Sequence, residues 1–72
     1  MAIEKVTLPV ARKIAGLTQK GLGSAVGVSE STVSNWEKGK SEPTVIQAHK
    51  ISEATGIPLD CIIFLPLNTV KP

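Results

Sequence analysis

The sequence has few aromatic residues, a single cysteine and no long apolar segment. Aromatic residues make up 3% of the chain, too few for a platform that stacks the bases of single-stranded nucleic acid. Cys61 cannot form an intramolecular disulfide, and we interpret it as a small hydrophobic residue of a protein kept in a reducing cytoplasm. No stretch reaches the ~20 apolar residues of a membrane span, and the N-terminus lacks the apolar core of a signal peptide.

Groups of residues that carry catalysis or bind metals are also missing from the sequence. It contains no Ser-His-Asp set, no paired carboxylates and no phosphate-binding loop. His49 has no second candidate ligand nearby, which favours a surface or boundary position over metal coordination. We therefore expect a protein without enzymatic activity, cofactor or metal.

Length and charge distribution are typical of a small domain with one basic half. The chain has 72 residues, of which 42% are hydrophobic and 19% charged, as in a folded domain rather than a disordered chain. Residues 1–40 carry six basic and three acidic side chains, whereas residues 41–72 carry two and three. The positive excess therefore lies in the N-terminal half, as contact with a polyanion requires.

Helix-capping residues and glycines divide the chain into short helices. Ser or Thr at N-caps and Gly at C-terminal ends predict a helix of about two turns between Thr7 and Gly16 and further helices over about 19–26, 30–38 and 44–55. Pro58 favours a fifth over about 58–64. The expected fold class is all-α, a compact bundle of about five short helices in a single domain.

Two segments fit an extended conformation as well as a helical one. The run 61–65 is rich in β-branched and aromatic residues and could form a strand, although we favour the helix. Residues 3–6 could likewise form an extended arm. The whole chain would then be one domain, with a core at about 8–65, an arm at 1–6 and a tail at 68–72.

The segment from Thr18 to Gly39 combines two short helices with a tight turn between them. Such a turn needs a residue with positive φ, which Gly27 supplies, and Gly23 would let the helices approach closely. The side chains that would seal the helix crossing are Leu22, Val28, Val33 and Trp36. The side chains left outside it are Ser31, Thr32, Ser34, Asn35 and Lys38. This outer face is short and polar, which suits contact with base edges and phosphates.

The same segment resembles the XRE-like helix-turn-helix of the lambdoid phage repressor and Cro family. The family pattern is roughly Leu-Thr/Ser-Gln-x-x-Leu-Ala-x-x-x-Gly-Val-Ser-x-x-x-Ile/Val-Ser-x-Trp-Glu-x-Gly. The chain matches it at Leu17, Thr18, Gln19, Leu22, Gly27, Val28, Ser29, Val33, Ser34, Trp36, Glu37 and Gly39. Arg12 lies where the family has an arginine that pairs with the glutamate found here as Glu37. The likeness covers about residues 8–64 and implies a lambda-repressor-like fold. Gly23 departs from the usual alanine and should weaken the second helix by about 0.5–1 kcal/mol.

The resemblance implies roles for individual residues. Positions matched to DNA contacts are Gln19, Ser29, Glu30, Ser31, Thr32, Ser34, Asn35, Lys38 and Lys40. Positions matched to the scaffold are Arg12, Leu22, Gly27, Val33, Trp36 and Glu37. Gln19 would contact a phosphate and could brace a base-reading side chain. Asn35 is the main candidate for reading adenine, while Glu30 would accept a hydrogen bond from cytosine or stabilise the helix N-terminus. Lys40 would contact the DNA backbone.

The function that the resemblance implies is sequence-specific regulation of transcription. The protein would bind double-stranded operator DNA as a repressor or Cro-like regulator in the cytoplasm of a bacterial or phage-infected cell. Because one recognition helix covers few base pairs, we expect a homodimer on a two-fold operator. The expected self-association surface is the apolar segment Ile62, Ile63, Phe64 and Leu65. The alternative is an antitoxin or anti-regulator that uses the same fold to hold a partner protein.

Overall fold

A computed structural model of the chain describes residues 5–64. Four α-helices follow one another in this part of the chain, framed by a short two-stranded sheet. The helices are α1 (Leu8–Ile14), α2 (Gln19–Val26), α3 (Glu30–Lys38) and α4 (Val45–Thr55). The strands are β1 (Val6–Thr7) and β2 (Ile62–Ile63), with a 3₁₀ turn over Leu59–Cys61 directly before β2. None of the helices within residues 5–64 has the length and apolar character needed to cross a lipid bilayer.

Local capping interactions explain where the helices begin. Thr18 and Ser29 each accept a hydrogen bond from the third backbone N–H of the helix that follows, at 2.8 and 3.1 Å. Thr44 does the same for α4 and forms a reciprocal capping box with Gln47, an arrangement that satisfies two otherwise unpaired donors. Thr7 occupies the N-cap of α1 without a side-chain hydrogen bond. The predicted bounds of α2 and α3 are therefore confirmed, and α4 begins one residue later than predicted.

The predicted fifth helix is wrong, and its place is taken by the 3₁₀ turn and β2. Strand β2 pairs in parallel with β1, with Val6 opposite Ile62 and Thr7 opposite Ile63. The strand alternative for this run is thereby confirmed at Ile62 and Ile63, and the extended N-terminal arm is confirmed at Val6. The physical reason is non-local: β-branched Ile62 and Ile63 suit a strand, and the pairing satisfies backbone groups that only a distant segment can reach. Residues 1–4 and 65–72, including Leu65, lie outside the described residues.

A small apolar core joins the four helices to the sheet. Its buried members are Leu8, Ala11, Leu22, Val26, Val33, Trp36, Ile51 and Ile62. The inward face predicted for the α2–α3 crossing is confirmed. On α4, Ile51 is buried in this core, whereas the side chains of Val45 and Ile46 are 74% and 70% exposed. Val45 and Ile46 precede Ile51 by six and five residues, which places them well away from the buried face of a helix with 3.6 residues per turn.

Candidate nucleic-acid interface

The turn between α2 and α3 sets the geometry of the site. Gly27 adopts a left-handed conformation with φ of 90°, and its N–H donates to the carbonyl oxygen of Gly23 at 2.8 Å. A Cβ at Gly23 would lie 2.7 Å from the carbonyl oxygen of Val28, so a side chain here would force the backbone of the turn to shift. The two glycines thus let the chain reverse within three residues and bring the start of α3 against α2.

One face of α3 is anchored in the core. Val33 is fully buried and Trp36 is 3% exposed, so rotation of α3 about its own axis would expose a large apolar area. The N-terminus of α3 is held by Ser29, whose hydroxyl also lies 3.0 Å from the hydroxyl of Thr32. The orientation of the outer face of α3 is therefore determined by the inner one.

The outer part of α3 carries the predicted base-reading residues Glu30, Ser31 and Asn35, with Ser34 at their margin, and also Lys38, which is a predicted contact to the DNA backbone. Ser31, Asn35 and Lys38 are exposed and follow the i, i+4, i+7 spacing that places side chains in one stripe along a helix. Glu30 is exposed at the N-terminus of α3, and Ser34 is half-buried beside the stripe. The structure thus brings all five residues together on one helix.

The remaining predicted contacts lie at the ends of α2 and α3. Ser29 is exposed and Thr32 half-buried at the start of α3, while Gln19 is half-buried as the first residue of α2. Lys40 is exposed just beyond α3, and its backbone N–H donates to the carbonyl oxygen of Asn35 at 2.9 Å. This bond closes the end of α3 and holds the Lys40 backbone at the end of the predicted base-reading face.

An ion pair links α1 to α3 beneath this surface. The Nε of Arg12 donates to Oε2 of Glu37 at 2.6 Å, and its Nη1 donates to the carbonyl oxygen of Leu17 at 3.0 Å. The side chains of Arg12 and Glu37 are only 12% and 7% exposed. The predicted structural pairing of these two residues is therefore confirmed.

A further hydrogen bond in this network could not be predicted from the sequence. The Nε2 of Gln19 donates to Oε1 of Glu37 at 2.9 Å, so α2 joins the ion pair between α1 and α3. The resemblance predicts a phosphate contact for Gln19, and the bond to Glu37 is an additional contact of the same amide. A bond between side chains 18 residues apart leaves no local pattern in a sequence, and only the packing of three helices creates it.

The fold and the arrangement of α2 and α3 define a class of DNA-binding domain. A family model described as helix-turn-helix matches residues 10–60, which is more than half of the chain. The chain belongs to this helix-turn-helix family.

A similar protein is known from Methanothermobacter thermautotrophicus (strain Delta H), where it is named an uncharacterized HTH-type transcriptional regulator. The two sequences are 47% identical over 45 residues, a stretch that covers 62% of this chain and 65% of the relative. The chain thus matches slightly less than two thirds of that protein. No solved structure matches the chain significantly.

Proposed function

We propose that the protein regulates transcription by binding specific sequences of double-stranded DNA, with α3 in the major groove. The observation that carries this proposal is the division of α3 into two faces. Val33 and Trp36 hold one face in the core, while Ser31 and Asn35 lie exposed on the other. The major groove admits an α-helix, and short polar side chains can reach the base edges there.

Two residues of α3 are proposed to choose between bases. The side-chain amide of Asn35 can donate to N7 of adenine and accept from its N6 amino group. Such a bidentate pair contributes ~1–3 kcal/mol of discrimination against the wrong base. The carboxylate of Glu30 can accept a hydrogen bond from cytosine N4. At a site without such a donor the Glu30 carboxylate would be desolvated and unpaired, so this residue also disfavours those sites.

Other residues are proposed to hold the DNA backbone. Lys38 and Lys40 carry the positive charge near the end of α3, and both are exposed. Ser29 and Thr32 present hydroxyl groups at its start, although the two hydroxyls also contact each other. Contacts of this kind set the register of a protein on the duplex without reading its sequence.

The protein is proposed to bind as a dimer, in the manner of a cytoplasmic Cro-like repressor. A single recognition helix covers too few base pairs for high specificity, and two-fold operators solve this problem. Within the segment expected to mediate self-association, Ile62 is 6% exposed and belongs to the core, so it cannot form part of an interface. Ile63 is 41% exposed and remains a candidate, while Phe64 packs partly against the core.

Selection of binding sites from a random pool of duplexes tests the proposal directly. The expected result is an enriched two-fold symmetric sequence, with half-sites about one helical turn apart. Sedimentation of the protein with the enriched duplex would show two chains per site. A pool without enrichment, at an ionic strength low enough for binding, contradicts sequence-specific recognition. A monomer on an asymmetric site contradicts the dimer alone.

A further inference from the structure

The side chain of Gln19 is held in one orientation by a carboxylate. Its Nε2 donates to Oε1 of Glu37 at 2.9 Å, and within residues 5–64 the Gln19 side chain makes no other hydrogen bond. A primary amide has two N–H donors and one oxygen acceptor. One N–H and the oxygen of Gln19 therefore remain unused at the N-terminus of α2.

The carboxylate of Glu37 is itself held in place by Arg12. Its two oxygens accept from Nε and Nη2 of Arg12 at 2.6 and 3.3 Å, and Nη1 of Arg12 is held by the carbonyl oxygen of Leu17. A hydrogen bond to an ionised acceptor is about twice as strong as one between neutral groups. Since the Glu37 side chain is 7% exposed, water competes poorly for this bond.

We infer that Glu37 is a positioning residue that orients the amide of Gln19 toward a DNA phosphate, with Arg12 as the partner that makes this possible. The inference rests on the proposed function and adds a residue to it. The second N–H of Gln19 can donate to a phosphate oxygen while the first stays bound to Glu37. A side chain ordered before binding loses less rotamer freedom when the complex forms.

Arg12 has an electrostatic part in this arrangement. An unpaired carboxylate at position 37 would repel an approaching phosphate, because the two negative charges would lie on either side of one amide group. The guanidinium of Arg12 neutralises the carboxylate at a distance of 2.6 Å. The ion pair therefore supplies an acceptor for Gln19 without adding net charge to the surface that faces DNA.

A thermodynamic cycle in DNA affinity separates positioning from a purely structural role. Affinity for a short random-sequence duplex is measured for Gln19→Ala in the unaltered protein and in an Arg12→Met/Glu37→Leu background, which replaces the ion pair by apolar side chains. In the unaltered protein the substitution should weaken binding about three- to tenfold, the effect of one lost hydrogen bond. In the background the effect should fall below about twofold, because no carboxylate orients the amide.

The control is Lys20→Ala, a change at the exposed neighbouring residue of α2. Its effect on affinity should be equal in the two backgrounds, because Lys20 makes no bond to Glu37. If the effects of Lys20→Ala and Gln19→Ala shrink together, α2 has shifted as a whole and the positioning role is overturned. An equal Gln19→Ala effect in both backgrounds also overturns it.

A second background keeps the test valid if the first does not fold, as judged by circular dichroism. In Glu37→Gln, Arg12 and Gln19 compete for a single neutral oxygen, so the Gln19→Ala effect should again be reduced, and an unreduced effect overturns the inference.

Failure of the inference differs from failure of the proposed function. A protein that binds duplex DNA but is insensitive to Gln19→Ala contradicts only the inference, whereas one that binds no duplex at low ionic strength contradicts the function.

Discussion

Arg12 and Glu37 form an ion pair that joins the first helix to the recognition helix from positions 25 residues apart. The Nε–Oε2 distance is 2.6 Å, and both side chains are largely enclosed. Removal of one charge leaves the other enclosed and unpaired. This lowers the free energy of unfolding by far more than the intact pair raises it. The consequences for stability can be measured separately from DNA binding.

The single substitution Glu37→Leu should lower the free energy of unfolding by about 3–5 kcal/mol, because it leaves the Arg12 guanidinium without its partner. The double substitution Arg12→Met/Glu37→Leu should recover most of that loss, since two apolar side chains of similar volume need no compensation. Urea denaturation followed by circular dichroism measures both variants. If the double variant is less stable than the single one, the enclosed charge does not cause the loss.

Trp36→Ala should destabilise the domain by about 3–5 kcal/mol, since it empties the centre of the helix crossing. Trp36 is 3% exposed, and a domain this small has little stability to lose. Thermal unfolding by circular dichroism provides the measurement, and Trp36→Phe is a control that keeps most of the volume. A Trp36→Ala variant as stable as the unaltered protein contradicts the packing described here.

Two glycine-to-alanine changes in the same helix-turn unit should have opposite effects. Gly27 has φ of 90° with open space around its Cα, so Gly27→Ala should cost about 1–2 kcal/mol through backbone strain alone. Gly21 lies within α2, where alanine gains about 0.5–1 kcal/mol of helix propensity. Part of that gain is offset because its Cβ would lie 3.2 Å from the hydroxyl of Thr18. Urea midpoints of the two variants give the signs, and a Gly27→Ala variant as stable as the unaltered protein contradicts the assignment of the turn.

Asn35→Ala should lower the preference for the selected site over random DNA by ~1–3 kcal/mol, while affinity for random DNA changes little. Asn35 is exposed on the outer face of α3, so stability should be unchanged. Competition binding with the two duplexes measures the preference. A loss of equal size on both duplexes would assign Asn35 to the DNA backbone instead.

Lys40→Ala should weaken binding to all duplexes and reduce the slope of log affinity against log salt by about one, because one phosphate contact is lost. Lys50→Ala is the matched control, an exposed lysine on α4 outside the proposed contact set. It should leave the slope unchanged. Titrations at several salt concentrations compare the variants, and an unaltered slope for Lys40→Ala removes this residue from the phosphate contacts.

The parts of the fold that could be predicted are those encoded by neighbouring residues. Thr18 and Ser29 cap α2 and α3 with hydrogen bonds to residues three positions away, and Gly27 reverses the chain through its own backbone freedom. These signals act within one or two turns, so a single sequence displays them directly. The outward face of α3 followed in the same way, once Val33 and Trp36 were assigned to the core.

The parts that could not be predicted depend on contacts between distant segments. Ile62 and Ile63 fit a helix or a strand by composition, and the strand formed because β1 lies beside them in the fold. The bond between Gln19 and Glu37 likewise exists only because three helices converge. Long-range pairing gives no periodic signal along the chain.

By itself the sequence determined the helix-turn-helix: its caps, its glycine turn and the division of α3 into an inner and an outer face. These features follow from the covalent properties of single residues and from interactions within a few residues. The tertiary structure decided the strand pairing that replaces a fifth helix, the exposure of Val45 and Ile46, and the engagement of Gln19 by Glu37. Each of these depends on which surfaces meet when the chain closes on itself, because burial and hydrogen bonding at those positions are properties of the assembled core.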